Sequence, residues 1–205
     1  MKNIFLKITF AIITIGLFLS CDEAETDIPT VFKYAFNEGF STATTGSGAV
    51  EVPITLTGWV NHNATSTRLW HARVFTGDNY AEFSSFYSAA GTNDVAWLIT
   101  PAIDLTSSTG EILSFTTKTR FSNGYPMTAF ISTNFNGTTA GISTATWTPL
   151  TFATPSADDV FVNSGNIDIS AYNSNNVRIA FKYIGSKTGG VTTTCQLDNV
   201  KITKN

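Results

Sequence analysis

The sequence predicts an all-β domain folded as one sandwich, and three observations predict it. Short runs of alternating apolar and polar residues recur from Val31 onward, the period of strands with one face buried. Turn residues punctuate those runs at Gly46-Ser47-Gly48, Ser122-Asn123-Gly124, Asn136-Gly137, Ser164-Gly165 and Gly189-Gly190, types that take up the backbone angles reversals need. The composition, 13% charged and 13% aromatic with abundant Thr, Ser, Asn and Gly, is poor in helix formers and rich in strand and turn formers. At 42% hydrophobic it carries too much apolar surface for a disordered chain.

The first thirty of the 205 residues follow a different logic. Residues 1–7 supply two lysines and residues 8–19 an apolar run ending in Ser20-Cys21, the three regions of a secretory signal. The run is shorter than the roughly 20 residues of a bilayer span. Leu17-Phe18-Leu19-Ser20-Cys21 resembles a lipobox, with Phe18 a departure where an aliphatic residue is usual. The resemblance implies that residues 1–20 are a cleaved signal peptide and that Cys21 becomes the acylated first residue. Each buried methylene of its acyl chains would contribute about 0.8 kcal/mol of membrane anchorage. An ordinary secreted protein cleaved before Cys21 is the plainer alternative. Residues 21–30 form an acidic tether with Asp22, Glu23, Glu25 and Asp27. The tether resembles the lipoprotein export signal of Bacteroidetes-type bacteria, which implies an outer-membrane lipoprotein exposed on the cell surface. A solvated linker is what this composition forms in any case.

Residues 31–205 make up the domain. The formal net charge of −3 belongs mostly to the tether, since eleven acids and ten bases remain from Val31 onward. No Lys/Arg cluster is present, so no nucleic-acid partner is expected. The cleanest strand spans 177–184, with Val177, Ile179, Phe181 and Tyr183 on one face and Arg178, Ala180, Lys182 and Ile184 on the other. Leu113, Phe115 and Thr117 alternate similarly, as do Met127, Ala129 and Ile131. No helical period with caps is visible, although one turn of helix could follow Asp168. With Cys21 acylated, Cys195 has no intramolecular partner and is expected to be a buried, inert thiol. The last strand changes phase: Cys195 and Leu197 set one alternation, Val200 and Ile202 the opposite one. A bulge at Asp198-Asn199 would reconcile them and re-aim Asp198 toward a metal or a buried hydrogen-bond network. An edge-strand irregularity is the alternative.

No catalytic constellation stands out. The only histidines are His62 and His71, neither in a His-Glu-x-x-His pattern, and no Gly-x-Ser-x-Gly elbow occurs. Asp158-Asp159 reads as a solvated turn. The aromatics Trp59, Trp70, Tyr80, Tyr87, Phe121, Tyr125 and Trp147 are interleaved with Asn, Thr, Asp and Arg, a mixture suited to stacking on sugars. Cores compete for the same rings, and Trp97 is assigned to the core. Trp59 and Trp70, beside polar loop residues, are expected to be exposed; with Tyr80 and Tyr125 they form the candidate ligand-binding set.

Phe36-Asn37-Glu38-Gly39-Phe40, Trp97-Leu98-Ile99-Thr100-Pro101-Ala102-Ile103-Asp104-Leu105, Ile179-Ala180-Phe181-Lys182-Tyr183 and Leu197-Asp198-Asn199-Val200 occur in this order. Together they resemble the choice-of-anchor J domain, a relative of the cleaved adhesin domains of surface proteases and, more remotely, of MAM domains. The resemblance covers the chain from about Val31. It implies a jelly-roll β-sandwich of the galactose-binding type, acting as an extracellular accessory module. It also implies a structural calcium bridging the first and last strands, held by Glu38 and Asp198 with Asp78 as a third candidate; Ca²⁺ takes six to eight oxygen ligands. The expected function is a non-catalytic, surface-anchored binding module for glycan, with an adhesive lipoprotein binding a surface protein as the alternative.

Overall fold

The computed structural model describes residues 33–204. The expected signal peptide, the expected acidic tether and Cys21 lie outside the described residues. Twelve strands run in chain order: β1 (Lys33–Glu38), β2 (Val60–Asn63), β3 (His71–Phe75), β4 (Asp78–Phe83), β5 (Asn93–Ile99), β6 (Ile112–Arg120), β7 (Met127–Ser132), β8 (Thr148–Leu150), β9 (Val162–Asn163), β10 (Ile167–Asp168), β11 (Arg178–Ser186) and β12 (Thr194–Lys204). They form two antiparallel sheets. In the seven-stranded sheet, β12 is flanked by β6 on one side and by β4 and β1 on the other, with β3 beyond β4 and with β9 and β10 beyond β6. The five-stranded sheet has the order β2-β5-β11-β7-β8. Only the β3–β4 and β7–β8 links stay hairpins within one sheet; the main strands otherwise wrap from one sheet to the other, which is the jelly-roll path through a β-sandwich.

The strand alternations are those the sequence predicts. Val177, Ile179, Phe181 and Tyr183 point into the inter-sheet core with Leu113, Phe115, Met127, Ala129 and Ile131. Burial of apolar area at about 25 cal/mol per Å² is what drives the two sheets together. The Phe83 and Tyr183 rings pack at 4.6 Å and the Phe115 and Phe181 rings at 5.0 Å. Cys195 is buried in this core, where desolvation pushes its thiol pKa upward. Trp97 is buried too, but on the opposite face of its sheet. It joins Ile99, Phe135, Ile142 and Ala180 beneath the β7–β8 loop, so it belongs to a second small core rather than the main one.

Two local features differ from, or sharpen, the sequence reading. No helix follows Asp168: its carboxylate accepts from the backbone N and the hydroxyl of Ser170, at 2.9 and 2.6 Å, closing a side-chain turn that competes with helix formation. The bulge in β12 is present. Asp198 faces Thr116 but Lys201 faces Ser114, so β12 carries one extra residue there, and Asn199 takes it up at φ +52°. This bulge lies in a central strand, not at an edge.

Candidate functional site

The bulge brings the carboxylates of the metal expectation into one neighbourhood. Asp198 is buried, and its oxygens accept from Asn199 N at 2.6 Å and Asn199 Nδ2 at 2.8 Å. Burial, assisted by the negative charges of Asp78 and Glu38, pushes its pKa up to about 6. Glu38 accepts from Phe40 N at 2.6 Å, and β1 pairs Glu38 with Val200, beside the bulge. Close by, the carbonyls of Phe40, Ser41 and Ala43 all converge at 3.3 Å on Asn79 Nδ2. Phe40 O also accepts from Ala43 N at 2.9 Å, which leaves the two hydrogens of the Asn79 amide for the carbonyls of Ser41 and Ala43. Among the described residues no three His, Cys, Asp or Glu side chains form a metal cage by themselves. A mixed set of carboxylates and carbonyls is nevertheless the donor chemistry Ca²⁺ uses; Asp198 and Glu38 would be its anionic ligands, and the carbonyls of Phe40, Ser41 and Ala43 would supply further oxygens. Asp78 is exposed and acts on Asp198 through its charge.

The aromatic expectation needs correction. Trp70 is 0% exposed, enclosed by Phe83 and Tyr183, because it enters β3 on the inward side; it cannot meet a ligand. Trp59 is half-buried against Phe36 and Phe40. Tyr125 packs on the core, its hydroxyl buried without a partner and its pKa raised by desolvation. Tyr80 is largely buried but contributes an edge to the cleft described next.

That cleft covers the outer face of the seven-stranded sheet. Where Ala72, Ala81, Phe83, Cys195, Leu197 and Phe115 point inward, the alternate residues point out. His71, Glu82, Gln196 and Lys118 form one cross-strand row over β3, β4, β12 and β6; Arg73 faces Tyr80, and Thr194 faces Arg120. Three depressions that share lining residues lie on this floor. One of about 470 Å³ is lined by Gly48, Ala49, Glu51, Arg68, Arg73 and Tyr87. A central one of about 230 Å³ lies among Arg73, Tyr80, Glu82, Tyr87, Arg120, Phe121 and Thr194. The third, an apolar notch of about 210 Å³, lies among Phe86, Tyr87, Phe121, Thr192 and Thr194. Tyr87 borders all three. Of the six exposed aromatic residues among the described ones, five (Phe75, Phe86, Tyr87, Phe121 and Phe161) stand on or beside this floor, with only Tyr34 elsewhere.

Each part of the wall has a physical support. Phe75 closes the β3–β4 hairpin, where Thr76 and Gly77 both have positive φ, the geometry of a two-residue turn that follows sheet twist. Phe86 and Tyr87 ride on a single 3₁₀ turn, Ser85–Tyr87, capped by Ser84. Asp94 holds that turn from below: it is buried and accepts from the hydroxyls of Ser85, Ser88 and Ser66, each at 2.6 Å, and from Asn63 Nδ2 at 3.0 Å. Burial opposes its ionisation, but the hydrogen bonds outweigh burial and hold its pKa below the ordinary carboxylate value. Phe121 directly follows β6 at φ +53° and is 74% exposed. The turn after it is tied down by Asn123, whose Oδ1 accepts from Thr192 N at 2.8 Å.

The floor is cross-linked by hydrogen bonds. His71 Nε2 donates to Glu82 Oε1 at 3.3 Å, and Gln196 Nε2 to Glu82 Oε2 at 2.8 Å. Arg73 Nε lies 3.4 Å from Glu82. Burial opposes the charge on Glu82, yet these partners prevail and lower its pKa, so it is a fixed anion and a poor proton donor. Arg68 pairs with Glu51, and Arg120 Nε with Asp159 at 2.8 Å. Asp158 accepts from Ser122 N. The adjacent pair of acids therefore steadies the cleft rim, in keeping with a turn. His62 lies on β2, in the other sheet.

No family model matches the chain, and no curated protein matches it. Among solved structures, the K3 cleaved adhesin domain of Lys-gingipain from Porphyromonas gingivalis is similar at TM-score 0.49 and 17% identity, covering 83% of this chain and 99% of that one. The CBM22-1 xylan-binding domain from Paenibacillus barcinonensis Xyn10C is similar at TM-score 0.42 and 11% identity, covering 84% and 95%. A mannan-recognising module, TmCBM27, is similar at TM-score 0.45 and 11% identity, covering 85% and 98%. With every TM-score below 0.5, these likenesses do not bear on the chemistry of the cleft.

Proposed function

We propose that this chain is a non-catalytic carbohydrate-binding module that holds glycan along the outer face of its seven-stranded sheet. The observation that carries the reading is the concentration of five exposed aromatic residues around one polar-floored cleft. Rings in water cost hydrophobic free energy unless something covers them, and pyranose faces have the apolar C–H surface to do so while their hydroxyls meet Arg, Glu and Thr. A protein-docking surface would be a broader apolar patch; this floor is instead crossed by charged and amide side chains. We further propose that Ca²⁺ sits at Glu38, Asp198 and the 40–43 carbonyls as a structural ion, and that acylated Cys21 tethers the module to the outer membrane. The lipobox-like residues and the acidic run of the sequence support the tether.

The test is a glycan array with the purified protein, with and without calcium, followed by titration of any ligand found. Tyr87→Ala and Phe121→Ala should each weaken binding about tenfold, or ~1.4 kcal/mol, with no loss of thermal stability, while Trp59→Ala leaves affinity unchanged. An array without a single retained glycan overturns the reading in favour of a protein ligand.

A further inference from the structure

The cleft pairs its aromatic surfaces with cations. Lys118 Nζ lies 4.6 Å from the Phe161 ring centroid and 5.9 Å from those of Phe75 and Tyr80. Arg120 Cζ lies 5.2 Å from Phe121, and Arg68 Cζ lies 5.3 Å from Tyr87. Three of the four arginines in the whole sequence border this one surface. Their countercharges are unevenly distributed. Glu51 is taken by Arg68, with His71 at 3.8 Å and Arg73 at 3.9 Å; Glu82 is taken by His71, Arg73 and Gln196. The end of the cleft nearest Gly48 is therefore internally neutralised. At the other end, Arg120 meets only Asp159, and that pair is largely solvent-exposed, where it contributes little. Lys118 has no carboxylate within 4.0 Å among the described residues.

We infer that the ligand is an acidic glycan, whose carboxylate or sulfate groups are received by Lys118 and Arg120. The inference rests on the glycan reading of the same cleft and names its substrate class. The stereochemistry suits it. Lys118 and Arg120 lie over the faces of Phe161 and Phe121, and the carboxylate of a hexuronate is equatorial, so a sugar packed against the exposed remainder of either ring brings its charge within reach of the cation on that ring. Lys118 and Arg120 are two residues apart on β6 and share a face, which spaces them by roughly 7 Å along the strand. Phe161 and Phe121 flank them in the same order. A polymer lying along β6 would thus meet a ring and a cation, then a second ring and a second cation.

The experiment titrates the purified protein with polygalacturonate, alginate and chondroitin sulfate, each beside a neutral counterpart made by carboxyl reduction, with desulfation as well for the chondroitin. The expected result is binding of at least one acidic polymer, about tenfold tighter than its counterpart and weakening as salt is raised. Lys118→Gln and Arg120→Gln should each remove most of that preference, and Lys118→Arg should retain it, with unchanged thermal midpoints. Equal binding of the acidic and neutral forms, or an acid preference that survives both glutamine substitutions, overturns the inference. So does binding of neutral glycans alone; in these cases the carbohydrate reading stands. Failure of every polymer together with an empty glycan array removes both.

Discussion

Phe121 combines two costs that folding alone does not explain. Its left-handed backbone costs about 1–2 kcal/mol for a residue with a side chain, and its ring faces water at 74% exposure. A ligand that covers the ring gives a reason for both. Asp94 is its buried counterpart, silent on the surface yet fixing the turn that presents Phe86 and Tyr87. Because its folded pKa lies below the ordinary 3.8, the folded state binds this proton more weakly than the unfolded one. Its stabilisation is complete above about pH 4 and is withdrawn as pH falls through the lower folded value. Asp94→Asn should therefore cost about 1.5–3 kcal/mol at neutral pH, a penalty that shrinks below pH 4 in urea titrations followed by fluorescence. A constant penalty at every pH would show that the charge is irrelevant. The sequence did not separate such residues. Trp70 has polar neighbours in the chain, but neighbours say nothing about which face a ring takes. Phe75, Phe86 and Phe161 carry no mark of exposure in the sequence, since Phe is usually buried. The legible signal was Phe121, a bulky residue wedged between Arg120 and the Ser122-Asn123-Gly124 turn.

Strand periods were far more readable than side-chain faces. A two-residue alternation is fixed by backbone geometry, so β6, β7 and β11 could be written from the apolar residues alone, and even the extra residue of β12 showed as a break in phase. Which sheet each strand joins was not legible, since pairing depends on residues distant in the chain. The bulge is the element where local and long-range requirements meet: it turns Asp198 toward β1 while restoring Val200 and Ile202 to the core. If calcium binds there, adding it in large excess over its dissociation constant should raise the unfolding free energy by about 2.7 kcal/mol at a hundredfold excess. Asp198→Asn should lose that increment. A thermal midpoint indifferent to calcium and chelator would leave the bulge as a hydrogen-bonded structural device only.

At the scale of the whole molecule, the proposed arrangement is a binding surface on a tether. Cys21→Ser should abolish incorporation of labelled fatty acid and release the chain from the membrane fraction, while glycan affinity of the purified protein stays the same. Retained fatty acid label in that variant would refute the anchor. β12 is last among the described strands and yet central, bonded to β6, β4 and β1 at once. Until the ribosome has made residues 194–204, the larger sheet lacks its middle. The growing polypeptide thus cannot close this sheet early, a delay that would suit the export proposed for it.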